Sequence, residues 1–154
     1  MKNYDYSQNG CYFVTVCVKD RKNLLGMIPV GRDAYIPPGI SPSNIGTIAD
    51  KYIQNINSVY WGITVDHYVI MPNHVHLLIT IEAADDGTGG MRASRPTLHT
   101  VVRSFKTMVT REIGYSVWQS SYYERVIRNE SGYREAWEYI DVNPMKWTED
   151  ELYC

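Results

Sequence analysis

An α+β fold is predicted by two features of this 154-residue chain. Short runs rich in β-branched and aromatic residues, CYFVTVCV and HVHLLITI among them, read as strands. Between them lie longer stretches whose apolar residues recur at helical spacing behind a serine or threonine that can cap them. Neither pattern dominates, and the two alternate along the chain.

Cys11 to Val18 is the first strand. Residues 27–42 follow as a loop insertion, since Pro29, Gly31, Pro37, Pro38, Gly39 and Pro42 break any regular element. Ser43 caps a helix running to about Ser58, with Ile45, Ile48, Ala49, Tyr52, Ile53 and Ile56 on its apolar side. Gly62 to Met71 and His74 to Ile81 are strands joined at the Pro72–Asn73 turn, forming a hairpin. A second insertion, residues 83–96, is polar and glycine-rich. Thr97 caps a helix through about Ile113 that turns Leu98, Val101, Val102, Phe105 and Met108 inward. Val117 to Ile127 contains a strand, and Ser131 caps a last helix. That helix ends near Asn143, because Pro144 disfavours helical geometry in the residue before it. The order β–α–β–β–α–β plus one helix is the ferredoxin-like plan, a four-stranded antiparallel sheet with helices on one face. One domain over residues 1–154 accommodates it. The plan hosts many unrelated activities and names none.

Composition narrows the setting. No apolar run approaches the roughly 18 residues a membrane span needs, and MKNYDYSQNG lacks the apolar core of a secretory signal. Three cysteines without metal-ligand spacing suit a reducing compartment. A cytoplasmic location is therefore expected. The net charge is −2, but its distribution is uneven. Residues 91–128 carry seven basic and two acidic side chains, against eight basic and fifteen acidic elsewhere. Such asymmetry fits a face that meets a polyanion, or simply a solvated helix face.

The chemistry is concentrated in VIMPNHVHLLIT. Residues i and i+2 of a strand share a face, so His74 and His76 project together while Val75 turns away. Their strand origins lie about 7 Å apart, close enough for two imidazoles to converge on one cation or to hydrogen-bond as a structural pair. A divalent metal wants a third protein ligand. Glu82 shares the face but lies roughly 20 Å along the strand, which is too far. In YIDVN, Tyr139 and Asn143 are four residues apart on one helix face. An amide oxygen can ligate a hard cation, and a phenol one turn away would then sit beside it. Considered alone, in a chain with thirteen tyrosines, Tyr139 reads as a core tyrosine beside Trp137 and Ile140.

Together these motifs resemble a known family. His-hydrophobic-His on a strand followed by Tyr-Ile-x-x-Asn-Pro on a C-terminal helix is similar to the single-tyrosine HUH transposases. These are the IS200-like insertion-sequence enzymes and the REP-associated tyrosine transposases. HYVIMPNHVHLLI, YFVTVCVKDR, SFKTMVTREI and VWQSSYYERVIRNE extend the likeness over nearly the whole chain. Asn143 followed by Pro144 is closer to the REP-associated branch, while the 27–42 insertion departs from the commonest pattern.

The resemblance implies the ferredoxin-like fold, Tyr139 as nucleophile, and a divalent Mg2+ or Mn2+ on His74, His76 and Asn143. It implies cleavage and rejoining of single-stranded DNA at hairpins through a 5′-phosphotyrosine. One nucleophile per chain then asks for a homodimer or sequential turnover to join two ends. Arg103, Lys106, Arg125 and Arg128 are candidate phosphate contacts, and Tyr122 and Tyr123 candidate base-stacking residues, with one of that pair facing the core. Neutral imidazoles must ligate, so metal-dependent activity is expected to fall below about pH 6. The alternatives are a silent or domesticated hairpin-binding protein, a replication initiator or relaxase, and a small-molecule metalloenzyme. Tyr133, on the other side of the helix from Tyr139, is a poor second nucleophile.

Overall fold

The structure, a computed structural model, describes residues 10–28, 40–82 and 96–152. Its elements are β1 (Gly10–Cys17), β2 (Gly26–Met27), β3 (Ser41–Pro42), α1 (Asn44–Val59), β4 (Ile63–Met71), β5 (His74–Ile81), α2 (Leu98–Ile113), β6 (Tyr123–Ile127) and α3 (Glu130–Val142). Single 3-10 turns at Lys19–Arg21 and Trp147–Glu149 complete it. β4, β5, β1 and β6 form one antiparallel sheet in that order, as the ferredoxin-like plan requires.

Strand alternation divides the sheet into two working faces. On one, Tyr12, Val14 and Val16 of β1 and Val75, Leu77, Ile79 and Ile81 of β5 meet α1 and α2 in the main core. Ser43 and Thr97 cap those helices as expected, accepting from the backbone N–H of Gly46 and Thr100. On the other face, Leu78 packs with Ala136 and Ile140 of α3, flanked by Phe13, Ile127 and Tyr133. α3 covers only part of that face, and the rest is left to the histidines.

Two polar contacts and one ring stack fasten α3. His67 Nε2 lies 2.6 Å from Asp141 and its ring stacks on Trp137 at 4.2 Å. The Tyr133 hydroxyl donates to Asp66 at 3.0 Å. Burial, reinforced by Asp66, pushes the Tyr133 phenol up to about 12. Tyr133 is a structural clasp.

Several expectations change in detail. Asn129, not Ser131, caps α3, accepting from Gly132 N at 2.7 Å, because residue 129 is still extended and the helix starts one residue later. Met108 is exposed and Val109 buried instead, since the inward row runs Val102, Phe105, Val109. The strand expected within 117–127 is confined to Tyr123–Ile127, with Trp118 forming a lone bridge to Val18. The first insertion is closed at its base by pairing of β2 with β3. Residues 29–39 and 83–95, the bodies of both insertions, lie outside the described residues. Among the described residues no helix is long and apolar enough to cross a membrane.

Gly46, in the first turn of α1, sits against the chain entering it. A Cβ there would lie 2.0 Å from the Leu25 carbonyl oxygen, which itself accepts from Ser43 N. Helix propensity favours Gly46→Ala by about 1 kcal/mol, but overlap with backbone costs about 1–3 kcal/mol or more. Gly46→Ala is therefore expected to lower the urea midpoint. An unchanged or higher midpoint would contradict this packing.

A candidate metal and nucleophile site

His74 and His76 leave β5 on the face shared with α3, and both are buried. Their Nε2 atoms lie 3.1 Å apart. What each ring does at its other nitrogen determines what these atoms can bind. His74 Nδ1 faces Asn73 Oδ1 at 2.7 Å. The orientation of that amide is fixed, because Asn73 Nδ2 donates to the Leu152 carbonyl at 2.5 Å and approaches that of Arg21 at 3.4 Å. Asn73 Oδ1 must then accept, so His74 Nδ1 carries the proton and Nε2 presents a lone pair. His76 Nδ1 lies 2.9 Å from Thr15 Oγ1, directly across the ladder in β1. A hydroxyl can donate or accept. With no cation, Thr15 donates and His76 Nε2–H bonds to His74. With a cation, Thr15 accepts and both Nε2 lone pairs are freed.

Two oxygens complete the cradle. Asn143, the residue after α3, is buried, and its Oδ1 has no donor among the described residues. Its amide adjoins both His74 and Tyr139, raising the affinity of the first for a proton and lowering that of the second. Asp150 was absent from the sequence-based ligand set. Its Oδ2, likewise buried without a donor, lies 3.7 Å from His74 Nε2. The His74, His76 and Asp150 ligand atoms fall within 4.8 Å of one another. Buried acceptors left without donors cost free energy. Once Thr15 accepts from His76, both imidazoles and both oxygens present lone pairs, the donor set that a divalent cation fits.

The electrostatics agree. Burial lowers His74 to about 4, partly opposed by the charge of Asp150. Burial lowers His76 well below its usual range, with His74 adding to the effect. Both imidazoles are thus neutral at neutral pH, and the ligating form extends below the pH 6 limit expected from an ordinary histidine.

Tyr139 stands over this cradle from α3. Its ring meets that of His76 at 5.3 Å and that of Phe13 edge-on at 5.8 Å, and the side chain is 43% exposed. It opens on a cleft of about 740 Å³ whose walls include Thr15, Arg21, His76, Tyr123 and Arg125. Partial burial raises the Tyr139 phenol above its ordinary value, and Asp150 and Glu151 add to this, while Asn143 and Arg125 oppose it. Without a cation the phenol is therefore poorly activated.

No protein-family model matches the chain. An uncharacterized protein of Haemophilus influenzae is 32% identical, matching 99% of this chain and 90% of its own length. A second protein of that organism, provisionally assigned as a REP-associated tyrosine transposase, is 26% identical over 95% of this chain and 77% of its own. The REP-associated tyrosine transposase of Escherichia coli K12 is 29% identical over 53% of this chain and 44% of its own. A solved REP-associated tyrosine transposase bound to a REP hairpin shares the fold with a TM-score of 0.64 at 23% identity, over 95% of this chain and 74% of that one. Over nearly its whole length the chain is thus similar to REP-associated tyrosine transposases.

In this fold the remaining candidates divide between two places. Tyr123 and Arg125 project from β6 into the Tyr139 cleft, with the Arg125 guanidinium 5.4 Å from the Phe13 ring centre. Tyr122 turns to the opposite face and packs against the main core. Arg103 and Lys106, on α2, line a separate cavity together with Tyr122. Arg128 is exposed just beyond β6 and lines neither. Asp150, Asn73 and Thr15 are the site residues that the sequence did not single out. The Pro72–Asn73 turn signal placed Asn73 correctly without revealing its hold on His74.

The histidines also predict an acid limit to the fold. The unfolded chain takes up protons as pH falls through about 6.5, while the folded imidazoles stay neutral to about 4 at His74. Stability conferred by the neutral pair is present above pH 6.5 and is lost progressively below it. The urea midpoint of metal-free protein is expected to drop between pH 7 and pH 5, and His76→Gln to flatten that drop. Equal pH dependence in the variant would contradict the burial of a neutral His76.

Proposed function

We propose that the chain is a metal-dependent tyrosine nuclease and transposase acting on single-stranded DNA beside a hairpin. The observation that carries this reading is the buried cradle of imidazoles and oxygens adjoining a half-exposed tyrosine in an open cleft. His74, His76 and Asn143 would hold Mg2+ or Mn2+, with Asp150 as a further oxygen donor, and imidazole ligands suit manganese better. Bound there, the ion supplies Lewis acidity toward a phosphate oxygen.

The residues of the chain do the rest. Arg125 and Arg21 line the cleft and offer cationic contacts to a phosphodiester. Tyr139 Oη attacks phosphorus, forming a Tyr–O–P bond as the bond from phosphorus to the 3′-oxygen breaks. The phenol proton passes to solvent in the cleft, and the departing 3′-oxygen takes one up as a free hydroxyl. The 5′-phosphate stays on Tyr139, preserving the energy of the ester, so a second 3′-hydroxyl can reverse the step and join new ends without ATP. Arg125 lowers the phenol toward ionisation whereas Asp150 and Glu151 raise it. Neutralising Asp150 by ligation would therefore also ease deprotonation of Tyr139. The REP hairpin bound by the solved neighbour favours a hairpin substrate.

The test is covalent capture. Wild type and Tyr139→Phe, incubated with Mn2+ and labelled hairpins from DNA flanking the gene, are compared on a denaturing gel. A slow-migrating adduct is expected in wild type and a loss of at least about a thousandfold in the variant, as for removal of an essential nucleophile. An undiminished adduct in Tyr139→Phe would move the nucleophile elsewhere. Tight hairpin binding with no adduct in either protein would favour a silent binding protein.

A further inference from the structure

The cavity on the α2 side, about 570 Å³, has no role in the cleavage chemistry and shares no residue with the Tyr139 cleft. Its walls nevertheless carry two cationic side chains, Arg103 and Lys106. Trp118 is 4% exposed, and its indole N–H has no acceptor among the described residues. Lys106 Nζ donates to the Gln119 and Ser121 carbonyls, at 2.6 and 3.4 Å, which leaves a third N–H. Arg103, exposed at the rim, pairs with no carboxylate among the described residues.

This cavity is joined to the cleavage cleft by a groove. The groove shares Trp118, Gln119, Ser120 and Ser121 with the cavity and Arg21 with the cleft, and Lys19 lies along it. Asp20 is its one acidic wall residue among those described. The turn that supplies Lys19 and Arg21 is strained. Asp20 and Arg21 have φ of 59° and 54°, in the left-handed region that non-glycine residues rarely adopt. The backbone bonds Lys19 N to Val117 O and Gln119 N to Cys17 O hold it against the cavity segment. Strain maintained in this way is characteristic of functional loops.

We infer that the strand leaving the Tyr139 cleft runs past Lys19 and Arg21, around the β6 end of the sheet, and seats a backbone phosphate in the Arg103–Lys106–Trp118 cavity. The ligand is single-stranded DNA, recognised through its phosphodiesters and not its bases, so the track is indifferent to sequence. The inference rests on the nuclease reading for the identity of that ligand. It explains why the basic residues of the second half of the chain are split between two faces of the sheet. A strand that turns the edge meets both.

The test is binding, independent of cleavage. Fluorescence anisotropy of labelled dT5 and dT20 is measured for wild type, the double variant Lys19→Ala/Arg103→Ala and Trp118→Phe. Both replaced cations are exposed, so the double variant folds, and phenylalanine keeps most of the packing of Trp118. The double variant is expected to bind dT20 about tenfold more weakly. Its slope of log affinity against log salt should be shallower by roughly 1.4, at about 0.7 per phosphate contact on a single strand. Affinity for dT5, which the cleft alone accommodates, should change less than about twofold. Trp118→Phe, which keeps both cations, should leave the salt slope unchanged. Unchanged dT20 affinity and slope in the double variant would overturn the track. Tyr139-dependent adduct formation on hairpins, assayed in parallel, reports on the nuclease reading separately. Its absence would sink that reading while the anisotropy still decides whether the track binds single strands.

Discussion

A buried cluster of two imidazoles and two donor-starved oxygens is the constraint around which this face of the sheet is organised. Two imidazole nitrogens, an amide oxygen and a carboxylate oxygen converge where a hydrophobic core would otherwise close. The arrangement is tolerable because the fold protects it from three directions. β1 supplies Thr15 to His76, the hairpin turn supplies Asn73 to His74, and the segment after α3 returns over the site. Trp147 joins Met71 and Ile28 in a small satellite core that pins this return. Residues 143–152 are thereby held against the face that bears the histidines.

The same sheet keeps two incompatible tasks apart. One face buries Val75, Leu77 and Ile79 under α1 and α2 and provides the stability. The other, one residue out of phase, presents His74 and His76. A single-residue slip of β5 against β1 would exchange the two sets, so the core itself enforces the register of the site. α3 is then fastened at the far edge by Asp66, His67 and Asp141, which holds Tyr139 over the histidines without covering them.

Much of this was legible in the chain. Period-two alternation placed His74 and His76 on one face, and four-residue spacing placed Tyr139 near Asn143. Both are local geometry, which sequence encodes directly. What was hidden depends on contacts between distant segments. Asp150 sits in WTEDEL between Glu149 and Glu151, and nothing local singles out the middle acid of such a run. The separation of Tyr122 from Tyr123 follows from strand phase, but which of the two faces the core required knowing how β6 pairs with β1. Likewise Arg103 and Lys106 were recognised as cations on one helix. That they lie across the sheet from His74 and His76 follows only from the packing of α2.

The most direct test is whether the cradle takes a metal. Mn2+ would be titrated into the protein while free ion is followed by electron paramagnetic resonance, with His76→Ala and Asp150→Asn in parallel. One tight ion per chain is expected, lost in His76→Ala and weakened about tenfold or more in Asp150→Asn. Absence of tight binding in wild type, or equal binding in His76→Ala, would contradict a cradle built for a cation.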